Sequence, residues 1–96
     1  VIELCILAIL SKKDMYGYEL SEYISNQIDI SDGTVYPILR KLKADGLVKT
    51  YLSEDSGGPP RKYYSLTQLG KEEFEKDSAE WLSFTAIVNK IIQGEK

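Results

Sequence analysis

The chain of 96 residues contains no histidine and only one cysteine. Zinc sites draw their ligands from several cysteine and histidine side chains, so we expect no metal ion. Cys5 cannot form a disulfide within the chain, which is typical of a protein in the reducing cytoplasm. A nucleophile motif and a glycine-rich phosphate loop are also missing, so we expect neither an enzyme nor a bound cofactor.

Long hydrophobic runs are absent as well. The N-terminal stretch VIELCILAIL is too short to span a bilayer, and Glu3 interrupts it. It also lacks the basic region and the small-residue cleavage site of a signal peptide. Because the chain opens on Val rather than Met, we expect further residues before it. The length predicts one small domain, of a size at which a partner subunit adds useful stability.

The net charge of −3 is unusual for a protein that binds nucleic acid. The charges are unevenly distributed, however. Residues 33–66 carry six basic and three acidic side chains, whereas the rest of the chain carries six basic and twelve acidic ones. The middle of the chain is therefore locally basic, which allows it to face a polyanion.

The residues around position 38 have the pattern of an amphipathic helix, predicted over 33–45. Apolar residues recur there with helical spacing, ending at Leu42. Pro37 is expected to bend this helix without breaking it, and Gly46 to end it. We predict a recognition helix that lies in a DNA groove and is assisted by cations of a following hairpin. The predicted DNA-binding residues are Thr34, Tyr36, Pro37, Arg40, Lys41, Lys43, Arg61 and Lys62.

The flanking segments complete a mainly α fold with a small β-hairpin. Residues 1–10 are apolar on nearly every side and fit a buried strand or a buried helix, with helix favoured by composition. A second helix is predicted over 15–27, capped by Asp14, and a wing hairpin over 47–66. Thr67 is expected to cap a long helix that runs to about Ile92, within a C-terminal dimerisation region over 67–96. The prediction is thus a winged helix-turn-helix over 1–66, followed by one long C-terminal dimerisation helix.

Two segments are more apolar than a single small chain can cover. The first helix has no polar face, and the second half of the last helix is apolar along two faces. We therefore expect a homodimer. The predicted dimer-interface residues are Ile2, Phe84, Ile87, Ile91 and Ile92.

Several short motifs occur in an order that resembles the PadR family of bacterial transcriptional regulators. They are YGYE at 16–19, GTVYPIL at 33–39, DGLV at 45–48, GPPRKYY at 58–64 and LTQLG at 66–70. The single helix after the hairpin is similar to the branch with a short C-terminal region. The resemblance implies a homodimer in which the last helix crosses the partner's first helix, and a repressor whose DNA binding responds to a small aromatic or hydrophobic effector.

The resemblance also bears on Trp81, which lies fifteen residues after Leu66, as does the pore-lining tryptophan of the LmrR-like members. Thr85 stands where those members carry an aspartate, so the likeness does not extend to that acid. It implies an effector site or dimer contact at Leu4, Ala8, Trp81, Thr85 and Val88. Dimer packing alone also explains Trp81, because a tryptophan on an apolar helical stripe is commonly an interface anchor.

The predicted function is sequence-specific DNA binding by a homodimer, with recognition helices roughly 34 Å apart on a palindromic operator. Arg40 and Thr34 are expected to reach base edges, while Tyr36, Lys43, Arg61 and Lys62 hold phosphates. The alternative is a winged helix that binds a protein and no DNA, which the acidic net charge favours. A solvated helix face is also the usual fate of charged residues such as Lys41.

Overall fold

Four helices and a three-stranded antiparallel sheet make up the fold. A computed structural model describes residues 1–54 and 57–94, so Asp55 and Ser56 of the predicted wing tip lie outside the described residues, as do the last two residues of the predicted C-terminal region. The elements are α1 (Ile2–Leu10), β1 (Met15–Tyr16), α2 (Gly17–Gln27), α3 (Asp32–Ala44), β2 (Val48–Ser53), β3 (Arg61–Leu66) and α4 (Gln68–Ile92).

The core lies where α1, α2 and α3 meet one face of the sheet. The predicted apolar register of α3 is confirmed, because Val35, Leu39 and Leu42 are completely buried. They pack with apolar side chains of every other element, since burying these faces together removes most of their apolar area from water. The other buried apolar residues are Ile6, Leu7, Leu10, Met15, Leu20, Ile24, Val48, Tyr64 and Leu66. The prediction of a mainly α, winged helix-turn-helix fold is confirmed.

The second helix begins later than predicted. Met15 and Tyr16 form the short strand β1, which pairs with Tyr64 and Tyr63 of β3, and α2 starts only at Gly17. Asp14 is therefore not the helix cap, and the sheet has the order β1-β3-β2 rather than being a two-stranded hairpin. The prediction failed because the pairing partner of β1 is distant in sequence, and tertiary pairing overrides a local helical pattern.

Helix α3 continues through Pro37 and ends as predicted. Proline removes one backbone donor, but the apolar side chains on either side of it hold the helix against the core. Gly46 adopts a positive φ of 78°. Its N–H donates to the carbonyl of Lys43 at 3.0 Å, and the N–H of Leu47 donates to that of Leu42 at 3.0 Å. This is the Schellman arrangement, in which a left-handed glycine satisfies the last carbonyls of a helix.

Helix α4 is fixed to the body at its start and projects away beyond it. Thr67 caps the helix as predicted, because its Oγ1 accepts from the N–H of Gly70 at 3.0 Å and donates to the carbonyl of Gly46 at 2.6 Å. The helix ends at Ile92, as predicted, and Gly94 follows with a φ of 78°. The described part of the chain contains no helix with the length and apolarity needed to cross a membrane.

The strand β2 shows where the body stops covering the sheet. Val48 is buried and Thr50 half-buried, as their alternation predicts, but Leu52 is 70% exposed. Strand β1 ends opposite Tyr63, so the sheet has only two strands from Leu52 outward. The outer half of the hairpin therefore projects from the domain as a wing.

Candidate nucleic-acid interface

A groove of about 730 Å³ separates the wing from the recognition helix α3. The groove begins where the chain leaves β1 to start α2, because β1 no longer pairs with β3 beyond that point. Its walls come from β1, α2, α3 and β3. The lining residues are Tyr16, Gly17, Tyr18, Tyr36, Arg40, Arg61, Lys62 and Tyr64.

The groove is positively charged. Arg40 comes from α3, whereas Arg61 and Lys62 come from the wing, and the described lining includes no carboxylate. Four tyrosines supply the rest of the wall, with phenol groups that can donate hydrogen bonds. Clustered cations of one sign attract phosphate groups even when the protein as a whole is acidic.

The N-terminus of α2 opens into the same groove. Gly17 and Tyr18 are its first two residues, and Tyr16 at the cap position makes no side-chain capping bond. The first N–H groups of a helix have no intrahelical partner and, with the helix dipole, favour an anion. Gly17 also makes room for α3, since a Cβ there would lie 3.1 Å from Cε1 of Tyr36. The helix start and the cations thus converge on one concave surface.

Arg61 is held in place by an aromatic ring. Its guanidinium carbon lies 4.5 Å from the centroid of the Tyr16 ring. A guanidinium stacked on a ring is attracted to the ring face and keeps its in-plane N–H donors available. Arg61 is therefore pre-positioned beside the start of α2, although its side chain is exposed.

Tyr64 forms the floor of the groove and is only 8% exposed. Burial raises the pKa of the Tyr64 phenol, the neighbouring Tyr36 raises it further, and Arg40 partly opposes this. The phenol keeps its proton at neutral pH, as an unperturbed tyrosine also would, and it can donate a hydrogen bond. An anionic ligand in the groove meets donors from the floor as well as from the walls.

The structure brings together some of the predicted DNA-binding residues and separates others. Tyr36, Arg40, Arg61 and Lys62 share the groove. Thr34, Pro37 and Lys43 are exposed on α3 and do not line it.

Lys41 lies elsewhere on α3. Its Nζ is 3.4 Å from Oε1 of Glu3 in α1 and 3.4 Å from Oδ2 of Asp45. The hydrogen bond to Glu3, followed by the attraction of that carboxylate and the same contacts to Asp45, raises the pKa of Lys41. The ammonium is thus directed to the α1 side of the helix and is already paired.

Sequence reasoning missed half of the groove. The apolar pattern assigns Tyr16 to the stripe of the second helix and indicates only close backbone packing at Gly17, and Tyr64 is typical of a packing residue in a half-buried hairpin. The start of α2 could not be located without its pairing to β3. The available signal was a glycine between two tyrosines, Tyr16 and Tyr18, because a glycine at a helix start marks a close approach of another element.

The predicted dimer and effector residues lie on α1 and α4 and do not line the basic groove. Leu4, Trp81 and Phe84 line a groove of about 320 Å³ between α1 and α4, together with carboxylates that include Glu3. Ala8 does not reach it and lines a second, apolar groove between α1 and α2.

The remaining residues of this set differ in burial. Ile2 packs against the core, and Thr85 and Val88 are half-buried. The exposed members are Trp81 at 41%, Phe84 at 59%, Ile87 at 58%, Ile91 at 70% and Ile92 at 75%. An apolar stripe of this size on one helix is typical of a protein interface.

Several known proteins are similar to this chain in sequence and in fold. Residues 6–76 match the family described as the transcriptional regulator PadR-like family. A PadR-like transcriptional regulator from Bacillus cereus is 38% identical with a TM-score of 0.92, over 99% of this chain and 94% of that one. A PadR family regulator from Clostridium difficile is 36% identical with a TM-score of 0.86, over 95% and 97%.

A longer relative matches as well. The negative transcriptional regulator PadR of Bacillus subtilis is 27% identical over 85% of this chain, which spans 45% of that protein's length. Members of the family are DNA-binding regulators of transcription, not enzymes. With the family match covering most of the chain and the fold shared along its whole length, the chain belongs to the PadR-like family of transcriptional regulators.

Proposed function

We propose that this regulator is a repressor that binds a palindromic operator as a homodimer. The observation that carries the proposal is the groove between α3 and the wing, where three cations and the start of α2 face one space. A phosphate backbone that follows this groove would place the exposed side of α3 against the base edges of the adjacent major groove. Access to the chromosome requires a cytoplasmic protein.

The proposed DNA-binding side chains fall into two groups, one that contacts bases and one that contacts phosphates. Arg40 and Thr34 contact bases, since arginine reads guanine with two parallel hydrogen bonds. Pro37, exposed between them, offers an apolar surface to a thymine methyl group. Tyr36, Lys43, Arg61 and Lys62 hold phosphates, with the N–H groups at the start of α2 as further donors.

Fluorescence anisotropy with the duplex upstream of the protein's own gene tests DNA binding, at two salt concentrations. Arg40→Ala should weaken binding by about 1 to 3 kcal/mol and relax base preference. Lys62→Ala should weaken all duplexes alike and reduce the salt slope by about one per subunit. Lys76→Ala on α4 is the matched control and should behave as wild type. Equal affinity of wild type and Arg40→Ala would refute the assignment of the reading face.

The dimer follows from two uncovered apolar surfaces on one chain. The second half of α4 exposes Phe84, Ile87 and Ile91, and the groove between α1 and α2 is lined by Ala8 and Ile9. A second copy of this chain can cover both apolar surfaces, because two-fold pairing places each α4 against the α1 of the partner. Burial of the stripe on both subunits would approach the area of a stable dimer interface.

Light scattering coupled to size exclusion tests this pairing. Ile91→Glu should give monomers, because it would bury a carboxylate in the dimer interface. The monomer should still fold, because Ile91 is 70% exposed there. Asn89→Glu adds the same charge two residues away, on an exposed position that is polar already, and should stay dimeric. A dimeric Ile91→Glu would show that α4 is not the interface.

The effector site proposed here is the groove between α1 and α4, beside Trp81 and Phe84. An aromatic or hydrophobic molecule there alters DNA binding only if it favours one spacing of the two recognition helices over the other. Trp81 is the single tryptophan, so its fluorescence reports occupancy directly. The neutral hydrophobic dye N-phenyl-1-naphthylamine, which the carboxylates of the groove do not repel, should quench Trp81 in the dimer and shift operator affinity. Quenching without any shift in affinity would exclude regulation from this groove.

A further inference from the structure

A row of three tyrosines crosses the sheet at the base of the wing. Tyr16 of β1 and Tyr51 of β2 are both register partners of Tyr63 in β3, so the three side chains lie on one face. The rings of Tyr51 and Tyr63 are stacked, with centroids 5.6 Å apart, and the ring of Tyr16 meets Tyr63 edge-on at 5.7 Å. The row therefore joins all three strands.

One hydrogen bond ties the two outer strands together. The hydroxyl of Tyr51 donates to Oδ2 of Asp14 at 2.6 Å. Asp14 immediately precedes β1, and β3 lies between β1 and β2. The Tyr51 side chain thus reaches across the central strand, and its bond links the wing to the segment that leads into α2.

This link is placed where the wing leaves the body. From Leu52 and Lys62 outward, β2 and β3 are paired with each other in a two-stranded sheet. Two-stranded hairpins are marginally stable in water and twist freely. The two cations of the groove that come from the wing, Arg61 and Lys62, lie in this outer part, directly beyond the tyrosine row.

We propose that Tyr51 and Asp14 are positioning residues for DNA binding, whose hydrogen bond sets the angle of the wing. With the angle fixed, Arg61 stays over the Tyr16 ring and faces Arg40 across the groove. The conformational entropy of the wing is then lost when the chain folds, so its loss does not weaken DNA binding. The inference rests on the proposed role of Arg61 and Lys62 as phosphate contacts.

The test compares variants that differ in this one bond. Tyr51→Phe keeps the stacked ring and loses the donor. Asp14→Ala and Asp14→Asn remove the same charge, but only asparagine keeps an oxygen acceptor for Tyr51. We expect Tyr51→Phe to weaken binding of the upstream duplex roughly threefold to tenfold. Asp14→Ala should bind more weakly than Asp14→Asn by a similar factor, and the double variant Asp14→Ala/Tyr51→Phe no more weakly than Tyr51→Phe.

Two further measurements separate positioning from a merely structural role. The salt slope of Tyr51→Phe should become shallower, because fewer phosphates are held. Hydrogen exchange without DNA should accelerate in the amides of Leu52 and Lys62, while the amides of α3 keep their protection. If wild type binds DNA and Tyr51→Phe matches it in affinity and salt slope, the positioning role is refuted. If wild type binds no DNA, the proposed function itself fails, and the exchange data still decide whether the bond orders the wing.

Discussion

The ammonium of Lys41 lies 3.4 Å from Oε1 of Glu3, and this contact joins the recognition helix to α1. Asp45, one turn further along α3, holds the same ammonium at 3.4 Å. Glu3 also lines the groove between α1 and α4 that contains Trp81. A cation on α3, the helix proposed to read DNA, is thus neutralised by a residue that borders the proposed effector site.

Glu3→Gln should strengthen DNA binding by releasing Lys41 toward a phosphate. We expect an increase in affinity of roughly threefold and a salt slope steeper by about one per subunit, because an exposed ion pair is weak and readily exchanged. The measurement is anisotropy with the upstream duplex at several salt concentrations.

Two controls isolate the Lys41 contact from the change in net charge. Glu75→Gln removes an exposed carboxylate on α4 and should leave the affinity almost unchanged. Lys41→Gln in the Glu3→Gln background should abolish the gain. A gain of the same size without Lys41 would contradict this account and assign the effect to general electrostatics.

Gly17→Ala should reduce DNA affinity while the free energy of unfolding changes little. The added Cβ would lie 3.1 Å from Cε1 of Tyr36, so the ring must move by a few tenths of an ångström within the groove. Alanine also favours the helix by up to about 1 kcal/mol, which offsets the crowding. Anisotropy and urea unfolding measure the two effects. In a Tyr36→Phe background, which keeps the ring but lacks the hydroxyl, the loss of affinity should disappear, and its persistence would mean that the loss does not arise from displacement of the Tyr36 hydroxyl.

Gly70→Ala should destabilise the fold severely. Gly70 is buried in the first turn of α4, and a Cβ there would collide with the backbone carbonyl of Leu47. Because backbone cannot move aside as a side chain can, we expect a loss of about 3 kcal/mol in the free energy of unfolding. Urea denaturation followed by circular dichroism gives the value. Gly58→Ala in the wing meets no atom within 4 Å and serves as the control. Similar midpoints for the two variants would disprove the close approach of α4 to the turn after α3.

Thr67→Ala should cost about 1 to 2 kcal/mol of unfolding free energy. The side-chain oxygen accepts from the N–H of Gly70 and donates to the carbonyl of Gly46, so both groups lose a partner. Thr67→Ser keeps the hydroxyl and should retain most of this stability. The comparison uses thermal and urea unfolding of the three proteins at one concentration, because the stability of the proposed dimer would depend on concentration. An equal loss in the serine variant would assign the effect to the methyl group.

The elements with a strong local pattern were predicted well. The register of α3, the turn at Gly46 and the cap at Thr67 depend on side chains within a few residues of each other. The strand at Met15 and Tyr16 was wrongly predicted as helix, since its partner β3 lies almost fifty residues away. The exposure of Leu52 has the same origin, because alternation indicates a face but not whether anything covers it.

By itself, the sequence determined the family, the fold class and the collection of cations between residues 33 and 66. Periodicity and turn chemistry act over short distances, so they can be read along the chain. Only the tertiary structure decided which cations act together. It set Arg40 opposite Arg61 and Lys62 across one groove, and it turned Lys41 toward Glu3. Those relations depend on how the wing and α1 pack against α3, which no local pattern specifies.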